Sequence, residues 1–193
     1  MRDPHVVSLK YRMELAKDES YNNPPPIEGD HTSFSFCLHD EVLDVKMKVH
    51  FATANEARRQ VDPFLRAWEL HHALQAGRNR IRFVFTNAEV IDRNPRKPGE
   101  PQVVELSGAA VVSISTSGTL SACLGRYPEP SSDLLVSPDV ETMWGRYQMY
   151  LDGKEPLLSM AYFCLTVMEG TTAGPNPRKS VCTTYGKIGR AHV

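Results

Sequence analysis

The sequence has no long hydrophobic run. Its most apolar stretch, LLSMAYFCLTVM from Leu157 to Met168, is about a dozen residues, where a helix needs roughly 20 to cross a bilayer. Cysteine is scarce. The four, at positions 37, 123, 164 and 182, form no CxxC pair and no Cys/His group at zinc spacing. Charge of one sign is also missing: 22 basic residues stand against 23 acidic ones. No electrostatic excess points to nucleic acid, membrane or a charged polymer. GxGxxG, the P-loop, GxSxG and HExxH are all absent, and with them the usual signatures of nucleotide binding, serine hydrolysis and zinc proteolysis. The βαβ alternation of a doubly wound sheet is absent too.

What is present reads as a folded chain. Hydrophobic residues make up 41% and charged residues 23%, which is globular usage and excludes general disorder. At 193 residues the chain can bury a core without disulfides or metal. The opening MRDPHVVSLK has no apolar leader core, so the expectation is a reduced, soluble, cytoplasmic protein.

Period-two alternation dominates the first two-thirds. Val7, Leu9, Tyr11, Met13 and Leu15 alternate with Ser8, Lys10, Arg12 and Glu14. Phe34, Phe36 and Leu38 form a second apolar face, and Leu43, Val45, Met47, Val49 and Phe51 a third. The turn near Asp40 and Glu41 joins these two as a hairpin. SYNNPPPIEGD reads as an irregular connection, because prolines interrupt it.

Residues 53–77 change period. Thr53 and Glu56 form a capping-box signature, Ala57, Val61, Phe64, Leu65 and Trp68 recur at helical spacing, and Gly77 suits the end. Pro63 predicts a kink, or a restart with Asp62 as N-cap. Ile81, Phe83 and Phe85 then return to strand, and two or three further strands are expected between 103 and 127.

YPEPSSDLLVSPDV marks the candidate boundary. Ser137-Pro138-Asp139 is a strong helix start. Val140, Met143, Trp144, Tyr147 and Leu151 line the helix that follows. A second helix, from about Glu155 to Glu169, is apolar nearly all round. Such a helix needs cover on every side. Leu157, Met160, Phe163 and Val167 therefore imply a partner: either a second copy of the chain or further helices. The final IGRAHV matches one frame of a common sequencing adapter, ATC GGA AGA GCA CAC GTC followed by the stop TGA, and AAG supplies Lys187. Residues 187–193 are thus expected to be non-native, with the natural sequence continuing past Gly186, and His192 is set aside.

The fold these patterns predict is α+β. An antiparallel sheet of about six strands packs on one kinked helix over 1–130, followed by a partial helical region over 131–186.

Few residues carry chemistry. Arg66 and His71, with His72 beside it, lie in RAWELHH. This Arg-x4-His spacing resembles the short motif of HEPN-type ribonucleases, in which an arginine and a histidine act on the RNA backbone. The resemblance covers two residues and implies a truncated nuclease or defence effector whose catalytic helices are missing. Read from spacing alone, Arg66 and His71 are rim residues of a helix packed on a sheet. Adjacent histidines diverge by about 100° on a helix, so His71 and His72 do not make a metal pair. Lys10, Arg12, Lys46, Lys48, Arg80 and Arg82 fall on outward strand faces. They would form a basic patch if their strands are neighbours, but the aromatics that single-stranded nucleic acid stacks on face inward. Glu89 and Asp92 read as strand-end acids. No metal site or cofactor is specified. The expectation is a β-rich binding or sensor module joined to a helical interaction region, with the nuclease and a homodimerising structural module as alternatives.

Overall fold

A computed structural model describes residues 3–16, 19–77, 81–94, 105–106, 122–131, 136–171 and 176–185. The chain forms two compact units, Met1–Leu135 and Val136–Val193. The fold is α+β.

Unit 1 is built on a six-stranded sheet. Its strands are β1 (Pro4–Leu15), β3 (Ile27–Asp30), β4 (Phe34–His39), β5 (Val42–Met47), β6 (Ile81–Asp92) and β7 (Glu105–Leu106), in the order β3-β4-β5-β1-β6-β7. All neighbours run antiparallel. β2 (Glu19–Tyr21) and β8 (Ala122–Leu124) form a separate parallel pair. The remaining strands expected between 103 and 127 lie outside the described residues.

The β4–β5 hairpin has the expected register, with Phe34 opposite Met47, Phe36 opposite Val45 and Leu38 opposite Leu43. Asp40 and Glu41 both take positive φ, 47° and 60°. Two left-handed residues in a two-residue loop match the right-handed twist of the flanking strands.

Two details of the strands differ from simple alternation. Val7 is skipped in the pairing of β1 with β6, and Thr86 is skipped on the facing strand. These bulges shift the phase of the pleat. Val6 and Ala88 reach the core, fully buried, while Val7 is only half-buried. β5 also ends at Met47, leaving Val49 exposed rather than inward.

A third difference lies in the proline-rich connection, which contains the edge strand β3. Here Gly29 pairs with Phe36, whose ring lies over it, and a Cβ at Gly29 would sit 2.3 Å from a ring carbon.

Helix α1 (Ala54–Ala76) covers one face of the sheet. Thr53 Oγ1 accepts from the Glu56 amide, and Glu56 returns a carboxylate to the Thr53 amide, completing the capping box. Gly77 closes the helix in the left-handed region, at φ 75°. The helix runs as one element through Pro63, with no restart at Asp62. The core joins Leu9, Tyr11 and Met13 of β1 to Phe34, Leu38, Leu43 and Val45 of the hairpin and Val61, Leu65 and Trp68 of α1. Trp68 stands 5.0 Å from Phe83 and 5.5 Å from Phe36, centroid to centroid. Its indole N–H donates to the Pro128 carbonyl at 2.9 Å. Tyr127, where the candidate boundary stretch begins, is buried in this core, and its hydroxyl accepts the Glu41 amide at 3.1 Å.

Unit 2 contains α2 (Pro138–Leu151), α3 (Leu157–Thr171) and α4 (Pro177–Tyr185). Ser137 caps α2 through the Val140 amide, with Pro138 at the first position. Ahead of α3, the buried Glu155 accepts from Arg146 at 2.9 Å and Ser159 at 3.0 Å. The Arg146 guanidinium also lies 4.5 Å from the Phe163 ring centroid. Helix α4 was not expected, although Asn176-Pro177 is a helix start and the Asn176 side chain accepts the Lys179 amide. No residue of α3 is buried, and Leu158 is 82% exposed and Tyr162 69%.

Candidate functional site

Helical spacing places Arg58, Asp62, Arg66 and Glu69 along one side of α1. That side faces the edge of β6 at Ile81–Phe85. The space between is a groove of about 560 Å³, floored by Tyr11, Leu65, Ile81, Phe83 and Phe85, with Arg82 also on its wall.

Each carboxylate in the groove is tied down at both oxygens. The Tyr11 hydroxyl donates to Asp62 Oδ1 at 2.8 Å, and Arg58 Nη2 to Asp62 Oδ2 at 3.1 Å. The Phe83 amide donates to Glu69 Oε1 at 2.7 Å, and Arg66 Nη1 to Glu69 Oε2 at 3.0 Å. Glu69 thus bridges the helix to the strand edge and satisfies a backbone donor there. The Arg58 guanidinium sits 4.6 Å over the centre of the Phe85 ring, whose edge meets Tyr11 at 5.6 Å. Burial pushes the Tyr11 hydroxyl far above its ordinary range, and the Asp62 charge adds to the shift. Tyr11 is therefore a neutral donor and not a base. Among the described residues no Ser, Thr, Cys, His or Lys lines the groove.

Among the described residues, the sequence-derived candidates that line this groove are Arg66 and Arg82. His71 does not join Arg66. Five residues along a helix turn it about 140° away, and its Nε2 lies 3.0 Å from the Gln75 amide nitrogen. His72 is half-buried beside it.

The outward strand face is mixed in charge rather than basic. Lys10 pairs with Asp44 at 3.3 Å and Arg12 with Glu14 at 2.8 Å. Lys48 pairs with Asp30 and donates to the His31 carbonyl. Lys46 stands exposed between Ser8 and Ser35, and Arg82 lies opposite Glu14. Arg80 lies outside the described residues. Asp92 accepts the Asp3 and Asn94 amides and fastens a strand end, whereas Glu89 lies within β6 and accepts the Ser8 hydroxyl beside the bulge.

His39 sits at the hairpin turn on Asp44, whereas His50 lies beyond the other end of β5 and stacks on His5. They share no site. Among the described residues no group of three or more His, Cys, Asp or Glu side chains could hold a metal ion. Burial, then the charges of Glu28 and Asp44, push the Cys37 thiol up, and burial does the same to Cys164 ahead of Glu155. Neither is poised as a thiolate nucleophile. Among the described residues no helix is long and apolar enough to cross a membrane.

Sequence reasoning missed Tyr11, Arg58, Asp62 and Glu69 as groove residues. The available signal was the alternation of charge at 58, 62, 66 and 69, which marks one polar helix face. No protein-family model matches the chain, and neither a curated protein nor a solved structure does.

Proposed function

We propose that unit 1 is a binding module and that the groove between α1 and the edge of β6 is its ligand site. The observation that carries this reading is the closed state of the groove's chemistry. It sets five charged side chains against five apolar or aromatic ones around one concave space, and a concave space with convergent polar groups is where binding is expected. Each carboxylate oxygen holds a donor, and among the described residues the lining offers no nucleophile. Such a site recognises and does not transform. The separation of Arg66 from His71 weighs against those two residues acting together on an RNA backbone. Free thiols at Cys37, Cys164 and Cys182 support a reducing compartment, the cytoplasm.

The test is a fragment screen followed through the amide spectrum of the full chain. Hits are expected to move the amides of Ile81–Phe85 and Asp62–Glu69 together. Hits scattered over the surface, or none that touch these segments, overturn the reading.

A second reading concerns unit 2, which we propose pairs with a second copy through α3. Leu157, Leu158 and Tyr162 are exposed, and Met160, Phe163 and Val167 are only half-buried. No Asp, Glu, Lys or Arg occurs from Leu157 to Met168. Two copies of this face can meet without charge repulsion or the desolvation of an unpaired ion.

A further inference from the structure

A cluster of ionisable groups lies apart from the groove, at the end of the sheet where β1 begins. Ser8 pairs with Lys46, so the chain past β5 runs back beside the first residues of β1. There the ring of His50 stacks on that of His5, with centroids 5.2 Å apart and planes within 12°. His5 is 7% exposed, and among the described residues its Nδ1 is buried with no hydrogen-bond partner. A neutral imidazole fits this place, with Nδ1 as a bare acceptor. An imidazolium does not. Both of its nitrogens are donors, and a buried N–H without an acceptor carries its full desolvation cost. The backbone bond beside the stack runs from the Val6 amide to the Phe51 carbonyl, at 2.9 Å. Phe51 packs on the core, and Thr53, two residues on, caps α1.

From this geometry we propose that the His5–His50 stack is a proton-operated latch, holding the Phe51 connection and the entry to α1 against the start of β1 and releasing them in acid. The device does not depend on what the groove binds. Protons on both rings set two like charges face to face, and the opened segment lets water solvate each of them. The other charged groups around the pair are Asp3 at the start of β1 and Asp92 and Arg93 at the end of β6. Asp3 Oδ1 lies 3.6 Å from His50 Nε2 and offsets part of the repulsion. Asp92 is occupied by the Asp3 and Asn94 amides. Burial, then the charges of Arg93 and His50, lower the His5 pKa, and Asp3 opposes them. The open form therefore takes the proton more readily than the closed one, and opening is favoured as the pH falls below about 6.5.

Amide hydrogen exchange on the full chain, at about pH 6.5 and 5.5, with and without dilute urea, tests the latch. The Val6 amide is the reporter and the amides of the β4–β5 hairpin are the reference. Val6 is expected to exchange through a small opening that dilute urea barely changes, whereas the hairpin amides follow a urea-sensitive unfolding. Corrected for intrinsic rates, Val6 protection should fall severalfold between the two pH values, with about tenfold the most that one proton gives over one pH unit. His5→Phe, which keeps a ring to stack and cannot be protonated, should abolish the fall. Because His5 is buried, two milder variants supply the same test: His50→Phe should shrink the fall, and Asp3→Asn should enlarge it. If Val6 shares the urea response of the hairpin, if it keeps its protection at the lower pH, or if neither milder variant moves the fall, the latch assignment is overturned.

Discussion

His5 shows how one residue links packing to pH. Its ring is buried and stacks on that of His50, with centroids 5.2 Å apart and planes within 12°. Burial holds its pKa below the ordinary 6.5, the positive charges of Arg93 and His50 lower it further, and Asp3 opposes them. The folded state therefore binds this proton less readily than the unfolded one. The stability His5 contributes is present above pH 6.5 and is lost as the pH falls below that value towards the folded pKa. A urea midpoint measured from pH 7.5 down to 5 should decline on the acid side, by at most about 1.4 kcal/mol per pH unit from this one group. His5→Gln should flatten the decline, and an unchanged profile in that variant would remove the assignment. The groove was only partly legible at this scale. Arg66 stood out through a chance spacing with His71. Tyr11 read as one more apolar strand residue and Asp62 as a cap. Their hydrogen bond joins positions 51 residues apart, and no local pattern reports a pairing of that range.

Among the elements, α1 and the β4–β5 hairpin were legible from both ends. Thr53, Glu56 and Gly77 punctuate the helix, and strict alternation sets the hairpin register. Pro63 is the exception. It sits exposed in the middle of α1, so its ring packs against nothing that a smaller residue would lose. It removes one helical hydrogen bond, the one the Arg59 carbonyl would accept. Pro63→Ala is expected to raise stability by about 1–3 kcal/mol, less than the full helix-interior cost of proline because the unfolded chain also gains freedom. Chemical denaturation gives the value directly, and a destabilised variant would mean that proline at this position is needed for packing. β3 escaped the sequence reading because a short edge strand beside three prolines carries almost no alternation. Gly29, which a strand pattern counts as a break, is there because the Phe36 ring occupies the space of a side chain. The start of α4 was visible in Asn176-Pro177, but a helix of 9 residues leaves too few turns to establish a period.

For the molecule as a whole, the α+β class followed from the change of period along the chain, and the apolar character of α3 from its composition. What composition does not supply is the identity of the surface that meets α3. Light scattering on the full chain should give twice the mass of one chain, and Leu158→Glu, at an 82% exposed position, should return it to one without lowering the melting temperature. A parent protein that runs as a single chain at high concentration would exclude self-pairing. The expected adapter-derived tail, 187–193, lies outside the described residues. In the large sheet, the bulges at Val7 and Thr86 have a joint effect. Each adds one residue, on opposite strands, so the sum of paired positions is the same at either end of the β1–β6 ladder and differs only between Ser8 and Lys10. The two insertions act as a matched shim. Evolution could not have gained or lost either one alone without turning one end of a central strand inside out, so the pair should be inherited together or not at all.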